Sequence, residues 1–343
     1  MENKAILSTA IQSFGGNEDG LSVQGASHIK NGKICQDFGG HYRCDDYALA
    51  VVCDGHGGDV YIRSDRGSKF GVQVAIDSIR GFMNNKQDFL SNLFLSDNKD
   101  VQKKYSSKVI DQLIKSIILS WNNLVSEDLQ QNPITEDELK VLSDKYKTRY
   151  TSEDENQKFS AYGSTLIAVV YAPEFWFGIR IGDGRCVSIS KDGTICDPIP
   201  WNDKCFLNQT TSLCEDKAFE NFRHCFYTDN FPLAIYVGTD GIDDSWGGDE
   251  HLFTFYINLT QTFAQSGFEG GKQELRDFLP KLTLQGSGDD VSISGIVDME
   301  AIKEIFKESA NAEKQQNAEQ GEQIEEKQPT KAVNNDDVEN ILQ

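Results

Sequence analysis

The strongest constraint on the fold is a nearly continuous apolar run from Tyr47 to Cys53. Such a run predicts a strand buried on both faces, which needs other structure packed on each side. The run stops at Asp54, which is followed by Gly55, His56 and two more glycines. Glycines permit a tight turn and bring carbonyl oxygens close to a cation, so the segment is a candidate metal site. Asp-Gly and Gly-Gly pairs are also ordinary turn signals, and this segment alone leaves both interpretations open.

Other stretches predict a chain of mixed strands and helices. Further strands are predicted at 163–172, 175–181, 185–190, 232–239 and 291–297, and a hairpin from 5–14 and 21–28. Helices are predicted at 61–83, 110–125, from 135 onward, 250–265 and 271–282. Loops are predicted at 27–37, 145–158 and 196–231. The last of these is long enough to be a functional flap.

Carboxylates recur at the ends of the predicted strands. Asp54 and Asp240 each follow an apolar run, Asp289 precedes one, and Asp37 lies in the loop before the first. Mg²⁺ and Mn²⁺ prefer such oxygen ligands, whereas zinc sites are usually richer in Cys and His. Two such ions about 3.5 to 4 Å apart activate a water and stabilise both oxygens of a phosphoryl transfer. The pattern therefore predicts phosphate-ester hydrolysis.

Composition limits the partners and the compartment. The formal net charge of −21 argues against nucleic acid and anionic membranes as partners. The eight cysteines include no Cys-x-x-Cys pair, no basic leader precedes an apolar run, and no 18-residue apolar stretch occurs. Reduced thiols and a soluble, cytoplasmic protein are expected. Past about Phe306 the chain has almost no large apolar residues, which predicts a domain at 1–306 and a disordered acidic tail at 307–343.

An ordered set of motifs carries a family resemblance. The motifs are Cys35-Gln36-Asp37, Val52-Cys53-Asp54-Gly55-His56-Gly57-Gly58, Gly163-Ser164-Thr165, Ile181-Gly182-Asp183-Gly184-Arg185, Gly238-Thr239-Asp240-Gly241-Ile242 and Gly288-Asp289-Asp290-Val291-Ser292. Together they resemble the type 2C, metal-dependent (PPM) protein serine/threonine phosphatases. Gly25-Ala26-Ser27-His28 matches the bacterial branch of that family. The resemblance spans about residues 20 to 297. It implies an α+β fold, a β-sandwich of two mostly antiparallel sheets flanked by helices on both faces, with the metal site at one edge.

The resemblance also implies a ligand set for two ions of Mn²⁺ or Mg²⁺. Asp54 would bridge the ions, and the carbonyl of Gly55 would bind one of them. Asp240 and Asp289 would complete the direct ligands, and Asp37 would act through a bound water. The substrate would be a phosphoprotein, phosphorylated by a partner Ser/Thr kinase, and a monomer is expected.

His56 matches the family's general acid, which protonates the leaving serine or threonine oxygen. An imidazole can supply a proton near neutral pH. The motif around Asp183 resembles a scaffold element that orients neighbouring loops, with a direct metal role as the alternative. The 196–231 segment falls where the family has its substrate flap.

Two positions depart from the family pattern. The family usually carries a phosphate-gripping Arg five residues before the first Asp, and Gly32 stands there. His28, Lys30 and Lys33 are the candidates to replace it. Many members bind a third ion through an Asp three residues before the Gly-Ser/Thr-Thr motif. Here that position is Ser160, which counts against a third ion.

Three functions follow from these residues. The leading one is a metal-dependent phosphoprotein phosphatase, because all four expected carboxylates are present. The missing Arg suggests a catalytically weak or inactive pseudophosphatase that acts as a binding or sensor domain. A phosphomonoesterase for small molecules, using the same site, is the third.

Overall fold

Two antiparallel sheets, packed face to face, form the centre of the protein. The computed structural model describes residues 5–206 and 209–307. The first sheet contains β1 (Ile11–Gly15), β2 (Ser22–Val23), β7 (Arg185–Ile189), β8 (Ile195–Cys196), β10 (Ala234–Gly238) and β11 (Val291–Asp298). Its order is β1-β11-β10-β7-β8, and β2 also pairs with β11. The second sheet contains β3 (Phe38–Arg43), β4 (Ala48–Cys53), β5 (Leu166–Tyr171), β6 (Trp176–Ile181) and β9 (Arg223–Tyr227), paired in that order.

Helices cover the outer face of each sheet. They are α1 (Ala26–Asn31), α2 (Ser64–Asn84), α3 (Lys86–Leu93), α4 (Lys99–Gln131), α5 (Glu136–Lys140), α6 (Asp144–Tyr150), α7 (Glu155–Lys158), α8 (Ala218–Asn221), α9 (Asp240–Asp243) and α10 (Asp249–Gln285). A 3₁₀ turn spans Phe159–Tyr162, and residues 299–307 are helical. Helix α10 is broken at Gly267, whose φ of 74° divides it into two arms.

The apolar residues of β4 show why it lies in the middle of four layers. Leu49 and Val51 pack in the cluster that contains α2 and α4, whereas Ala50 and Val52 pack between the two sheets. Each of the Leu and Val side chains contributes about 1.5–3 kcal/mol when fully buried. The arms of α10 cover the other sheet, for example through Phe263. The predicted α+β sandwich with helices on both faces is therefore confirmed.

Four local predictions are wrong. The predicted loop 27–37 begins as a helix, since most of α1 lies within it. Strands β1 and β2 do not form a hairpin, because each pairs with β11 near the other end of the sequence. The stretch 196–231 is not all irregular, since it contains α8 and the edge strand β9. The predicted loop 145–158 contains most of α6 and all of α7, which begins at a cap where Asp154 accepts a hydrogen bond from Asn156 N. Strand pairing between distant segments and very short helices produce little hydrophobic periodicity in the sequence, so the sequence patterns did not reveal these elements.

Two further predictions concern the ends of the chain and membranes. The predicted tail, except for Lys307, lies outside the described residues. Among the described helices, none is both long and apolar enough to cross a membrane.

Candidate active site

Asp54 and Gly55 are fixed where β4 ends. The backbone N of Asp54 donates to Thr165 Oγ1 at 2.9 Å, and Thr165 N donates back to the Asp54 carbonyl at 2.8 Å. The N of Gly55 donates to the carbonyl of Gln36 at 3.1 Å. A Cβ on Gly55 would lie 2.5 Å from that carbonyl oxygen and 2.6 Å from the carbonyl oxygen of Ser64, so only glycine fits. The turn predicted from the glycines therefore exists, and it orients Asp54 into a cleft.

Asp37 reaches the same cleft from the preceding loop and is connected to the end of β10. Its side chain is buried, with 4% exposure, and Oδ2 accepts a hydrogen bond from Thr239 Oγ1 at 2.6 Å. Thr239 Oγ1 also accepts from Ser292 N at 2.9 Å. The next residue after Thr239 is Asp240, the first residue of α9. One hydroxyl therefore connects two candidate ligands that lie about 200 positions apart.

The turn before β11 brings Asp289 to the opposite side of the cleft. A Cβ on Gly241 would lie 2.0 Å from the carbonyl oxygen of Asp290, so the backbones of the two Asp-containing turns touch. The Asp289 side chain is 55% exposed, whereas the Asp290 side chain is 2% exposed. Asp290 accepts hydrogen bonds from Gly25 N and Gln36 N, both at 2.6 Å. Asp290 is therefore engaged by the backbone, and Asp289 projects into the cleft.

The carboxylates raise one another's pKa values. Burial first, and then the charges of Asp240 and Asp37, hold the pKa of Asp54 well above its ordinary value. Burial, followed by the charge of Asp183, raises the pKa of Asp240 to about 7. Burial also raises the pKa of Asp37. Carboxylates crowded in this way repel one another at neutral pH unless a cation lies between them.

The donor set fits a hard divalent cation. Carboxylate oxygens of Asp54, Asp183 and Asp240 lie within 4.8 Å of one another. The cleft has a volume of about 1260 Å³, and of the described residues that line it only Arg185 and Lys204 carry a positive charge near neutral pH. Arg185 is paired with Asp243 at 3.0 Å. The candidate ligands therefore lack a protein cation, and oxygen-only sites of this kind suit Mg²⁺ or Mn²⁺.

His56 lines the cleft two residues after Asp54. Its N donates to the carbonyl of Gly163 at 3.1 Å, and its ring packs edge-on against Tyr61 with centroids 4.7 Å apart. Burial lowers the pKa of His56 to about 4. The resting imidazole is therefore uncharged near neutral pH, which is the opposite of the protonation that a cationic general acid needs.

The three candidates for phosphate binding lie in different surroundings. The Nζ of Lys33 donates to the carbonyl of Gly57, which lines the cleft, at 3.1 Å. Lys30 is exposed on α1 and is not among the described residues that line the cleft. His28 is 8% exposed and lies between Asp289 and Asp290. Lys33 is not among the described lining residues either, but of the two lysines it is the one that contacts a residue of the lining, Gly57.

Ser160 does not replace the carboxylate that the family has there. Its Oγ donates to the carbonyl of Gln157 at 3.1 Å and to Tyr150 Oη at 3.3 Å. Asp183, which the sequence predicts to be mainly a scaffold residue, lies beside Asp54 and Asp240 instead. The Gly-Asp-Gly spacing that follows a strand is the signal that pointed to it.

The predicted flap forms one wall of the cleft. Trp201, Phe206 and Thr210 are among the flap residues that line it. Two guanidinium groups lie close to the Trp201 ring, with Arg180 at 4.9 Å and Arg185 at 5.1 Å from its centroid. The sequence did not single out Trp201, because its contacts with arginines of two separate strands leave no local sequence pattern. The flap therefore packs directly beside the carboxylates.

A four-layer sandwich whose edge gathers carboxylates from separate strands is the architecture of a divalent-metal enzyme. A family model described as protein phosphatase 2C matches residues 24–280, most of the chain. The chain belongs to this family, as the sequence predicted, and it is a metal-dependent protein serine/threonine phosphatase. The matched region ends before Asp289, so the family model does not reach that candidate ligand.

Solved structures of bacterial phosphatases are similar to this chain. The serine/threonine phosphatase Stp1 from Staphylococcus aureus is 15% identical, with 86% of this chain and 97% of that chain covered and a TM-score of 0.46. The Mycobacterium tuberculosis phosphatase PstP/Ppp is 13% identical, with coverages of 84% and 98% and a TM-score of 0.46. A PstP catalytic domain in complex with two manganese ions is 13% identical, with coverages of 83% and 96% and a TM-score of 0.44. No curated protein sequence matches the chain.

Proposed function

We propose that this protein hydrolyses phosphoserine and phosphothreonine in proteins by means of two Mn²⁺ or Mg²⁺ ions bound at the edge of the sandwich. The observation that carries the proposal is the convergence of Asp37, Asp54 and Asp240, whose pKa values are all raised, first by burial and then by the charges of neighbouring carboxylates. A charge cluster of this kind costs stability and is compensated when cations bind. Intact carboxylates also disfavour the pseudophosphatase alternative.

The proposed ligands have distinct roles. Asp54, at the end of β4, would bridge the ions, with the Gly55 carbonyl beside it. Asp240 and Asp289 complete the direct ligands from the opposite side, and Asp37, held by Thr239, acts through a water. Bound divalent cations lower the pKa of a coordinated water and stabilise charge on phosphoryl oxygens. The orientation of Ser160 away from the cluster supports two ions rather than the family's third.

His56 is proposed to pass a proton to the leaving serine or threonine oxygen. Its pKa of about 4 leaves the resting ring uncharged at neutral pH. A bound phosphoester is a dianion, and negative charge next to an imidazole raises its pKa. Substrate binding would therefore load the proton that the ring then donates.

Lys33 is proposed to take the part of the missing arginine. Its Nζ lies 3.1 Å from the carbonyl of Gly57, a residue that lines the cleft, and a lysine binds phosphate as a point charge. Lys30, on α1, is not among the described residues that line the cleft and would contribute only through the long-range electrostatic field of its charge. His28 lies against Asp289 and Asp290 instead.

The flap is proposed to select the phosphoprotein. Trp201 and the exposed Phe206 present aromatic surface beside the carboxylates, which suits a peptide chain better than a small phosphate ester. The substrate would be the product of a Ser/Thr kinase. We further propose a monomeric, cytoplasmic protein with a phosphatase domain at 1–306 and an acidic tail at 307–343. The eight free cysteines are consistent with a reducing compartment.

Phosphate release from a phosphothreonine peptide, measured with Mn²⁺, with Mg²⁺ and with EDTA, tests the proposal. Turnover of the phosphothreonine peptide should require the cation. When each rate is divided by the rate on p-nitrophenyl phosphate, the peptide should be hydrolysed faster than sugar or nucleotide phosphates. If no substrate shows metal-dependent turnover at neutral pH, the proposal that the protein is an active phosphatase is refuted. Preference for a small phosphate ester over all phosphopeptides would refute the proposed substrate class.

A further inference from the structure

Helix α1 is attached to the turn that carries Asp289. The N of Ser27 donates to the carbonyl of Gly288 at 2.9 Å, and Ser27 Oγ donates to the same oxygen at 2.6 Å. Gly25 N donates to Asp290 Oδ1 at 2.6 Å. These residues are separated by more than 260 positions in the sequence, yet the helix and the turn form one unit.

The His28 ring is held between the two carboxylates of that turn. Its Nε2 lies 3.4 Å from Asp289 Oδ1, and its Nδ1 lies 2.9 Å from Asp290 Oδ1. The residue is only 8% exposed. Asp290 is fixed independently by Gly25 N and Gln36 N, and His28 Nδ1 beside it is a buried nitrogen without a hydrogen-bond partner among the described residues. The ring therefore lies against both carboxylates by close approach and not through aligned hydrogen bonds.

Asp289 needs such a contact more than the other proposed ligands do. Its side chain is 55% exposed, whereas Asp37 is buried and accepts a hydrogen bond from Thr239. Its own side-chain hydrogen bond is a local one, in which Oδ1 accepts from Asp290 N at 2.8 Å. An exposed carboxylate loses rotamer freedom when it binds a cation, and a neighbouring group that fixes it beforehand reduces that cost.

We propose that His28 is a positioning residue that orients the Asp289 carboxylate for the metal centre, and that it does not bind the phosphate. The inference rests on the proposed role of Asp289 as a ligand. Groups that hold metal ligands from behind typically change metal affinity by about 10- to 100-fold when they are removed. The effect should fall on cation binding first and on catalysis only through it.

Two conservative substitutions separate the two ring nitrogens. In His28→Gln the amide nitrogen would take a position near that of Nε2, from which it can donate to Asp289. In His28→Asn the amide nitrogen lies near the position of Nδ1 and can reach only Asp290. His28→Ala removes both contacts, and His251→Gln, at an exposed histidine on α10, is the matched control.

Calorimetric titration of the full-length protein with Mn²⁺ is the test. We expect His28→Gln and His251→Gln to stay near the wild-type affinity, and His28→Asn and His28→Ala to bind one ion about tenfold or more weakly. Excess Mn²⁺ should restore turnover in these two variants, with an unchanged KM for the phosphopeptide. Thermal unfolding in EDTA shows whether each variant is folded, and Gln and Asn are close enough in shape to be compared directly.

Three results would overturn the inference. Wild-type Mn²⁺ affinity in both His28→Asn and His28→Ala would show that the ring does not position Asp289. A raised KM that excess Mn²⁺ does not correct would assign His28 to the phosphate instead. Nitrogen hyperfine coupling in the spectrum of bound Mn²⁺, lost in His28→Ala, would make His28 a direct ligand. If the wild-type protein itself binds no Mn²⁺, the proposed metal centre is refuted. That outcome is distinguishable from refutation of the role of His28, in which the wild-type protein still binds Mn²⁺.

Discussion

Replacement of Asp240 by Asn should stabilise the metal-free protein at alkaline pH. The pKa of Asp240 in the folded protein is about 7, against an ordinary value of 3.8. Because the folded value is the higher one, the stabilisation that the protonated side chain provides is complete below about pH 4 and is lost as the pH rises through 7. Above that pH, wild-type protein carries a buried charge that faces Asp183 and Asp289.

The size of the effect follows from the pKa shift. A shift from 3.8 to about 7 corresponds to about 4 kcal/mol, at about 1.36 kcal/mol per unit. Because neighbouring carboxylates share the repulsion and water relaxes around them, we expect ~2–4 kcal/mol of added stability in Asp240→Asn at pH 8.5 in EDTA. At pH 6 the difference should shrink, since much of the wild-type side chain is then protonated.

Mn²⁺ should reverse the order of stability. A cation that binds only the folded state adds about 2.7 kcal/mol at a hundredfold excess over its dissociation constant. Urea unfolding of wild type, Asp240→Asn and the control Asp216→Asn, in EDTA and in Mn²⁺, measures both effects. Asp216 is an exposed carboxylate outside the cleft lining. The reasoning is refuted if Asp240→Asn is the less stable protein in EDTA at pH 8.5, or if Mn²⁺ stabilises it as much as it stabilises wild type.

Three further substitutions test other parts of the site and fold. Lys33→Ala should raise the phosphopeptide KM about tenfold in steady-state kinetics, and an equal rise in Lys30→Ala would contradict a specific phosphate contact. His56→Gln should lower kcat for the phosphopeptide by about 10²-fold or more. It should lower kcat for p-nitrophenyl phosphate less, because p-nitrophenolate leaves without a proton. Equal losses of kcat on the two substrates would argue against His56 as the proton donor. Arg63→Met should lower the free energy of unfolding by about 3–5 kcal/mol in urea titration, because Arg63 is only 3% exposed and its guanidinium donates to Glu138 at 2.7 Å. A change below about 1 kcal/mol would show that this ion pair does not stabilise the fold.

The sequence predicted the parts of the site that short segments encode. Asp54 follows a strand with an unbroken apolar run, and Asp240 follows another, so both were recognisable as strand-end carboxylates. The buried strand β4 and the helix predicted at 110–125, which lies within α4, were equally clear, because an unbroken apolar run marks the strand and apolar residues at steps of three and four mark the helix. The sandwich itself was predicted from the family resemblance that the ordered motifs carry, and not from the pattern of single elements.

The rest depends on contacts between distant segments. Thr239 holds Asp37 across about 200 positions, and no local pattern encodes that hydrogen bond. The same is true of His28, whose neighbours lie more than 260 positions away and whose imidazole the sequence suggested as a phosphate ligand. Strand β9 was missed because its edge position leaves Arg and His beside aromatic residues without regular alternation.

The most direct test of the account is Mn²⁺ binding and phosphothreonine-peptide hydrolysis by wild type and Asp54→Asn, measured on the same samples. Asp54 is proposed to bridge both ions, so its loss should remove binding of at least one ion and lower turnover by several orders of magnitude, while the protein still unfolds cooperatively in EDTA. Asp216→Asn should behave as wild type in both measurements. Wild-type turnover and full Mn²⁺ stoichiometry in Asp54→Asn would contradict the central claim.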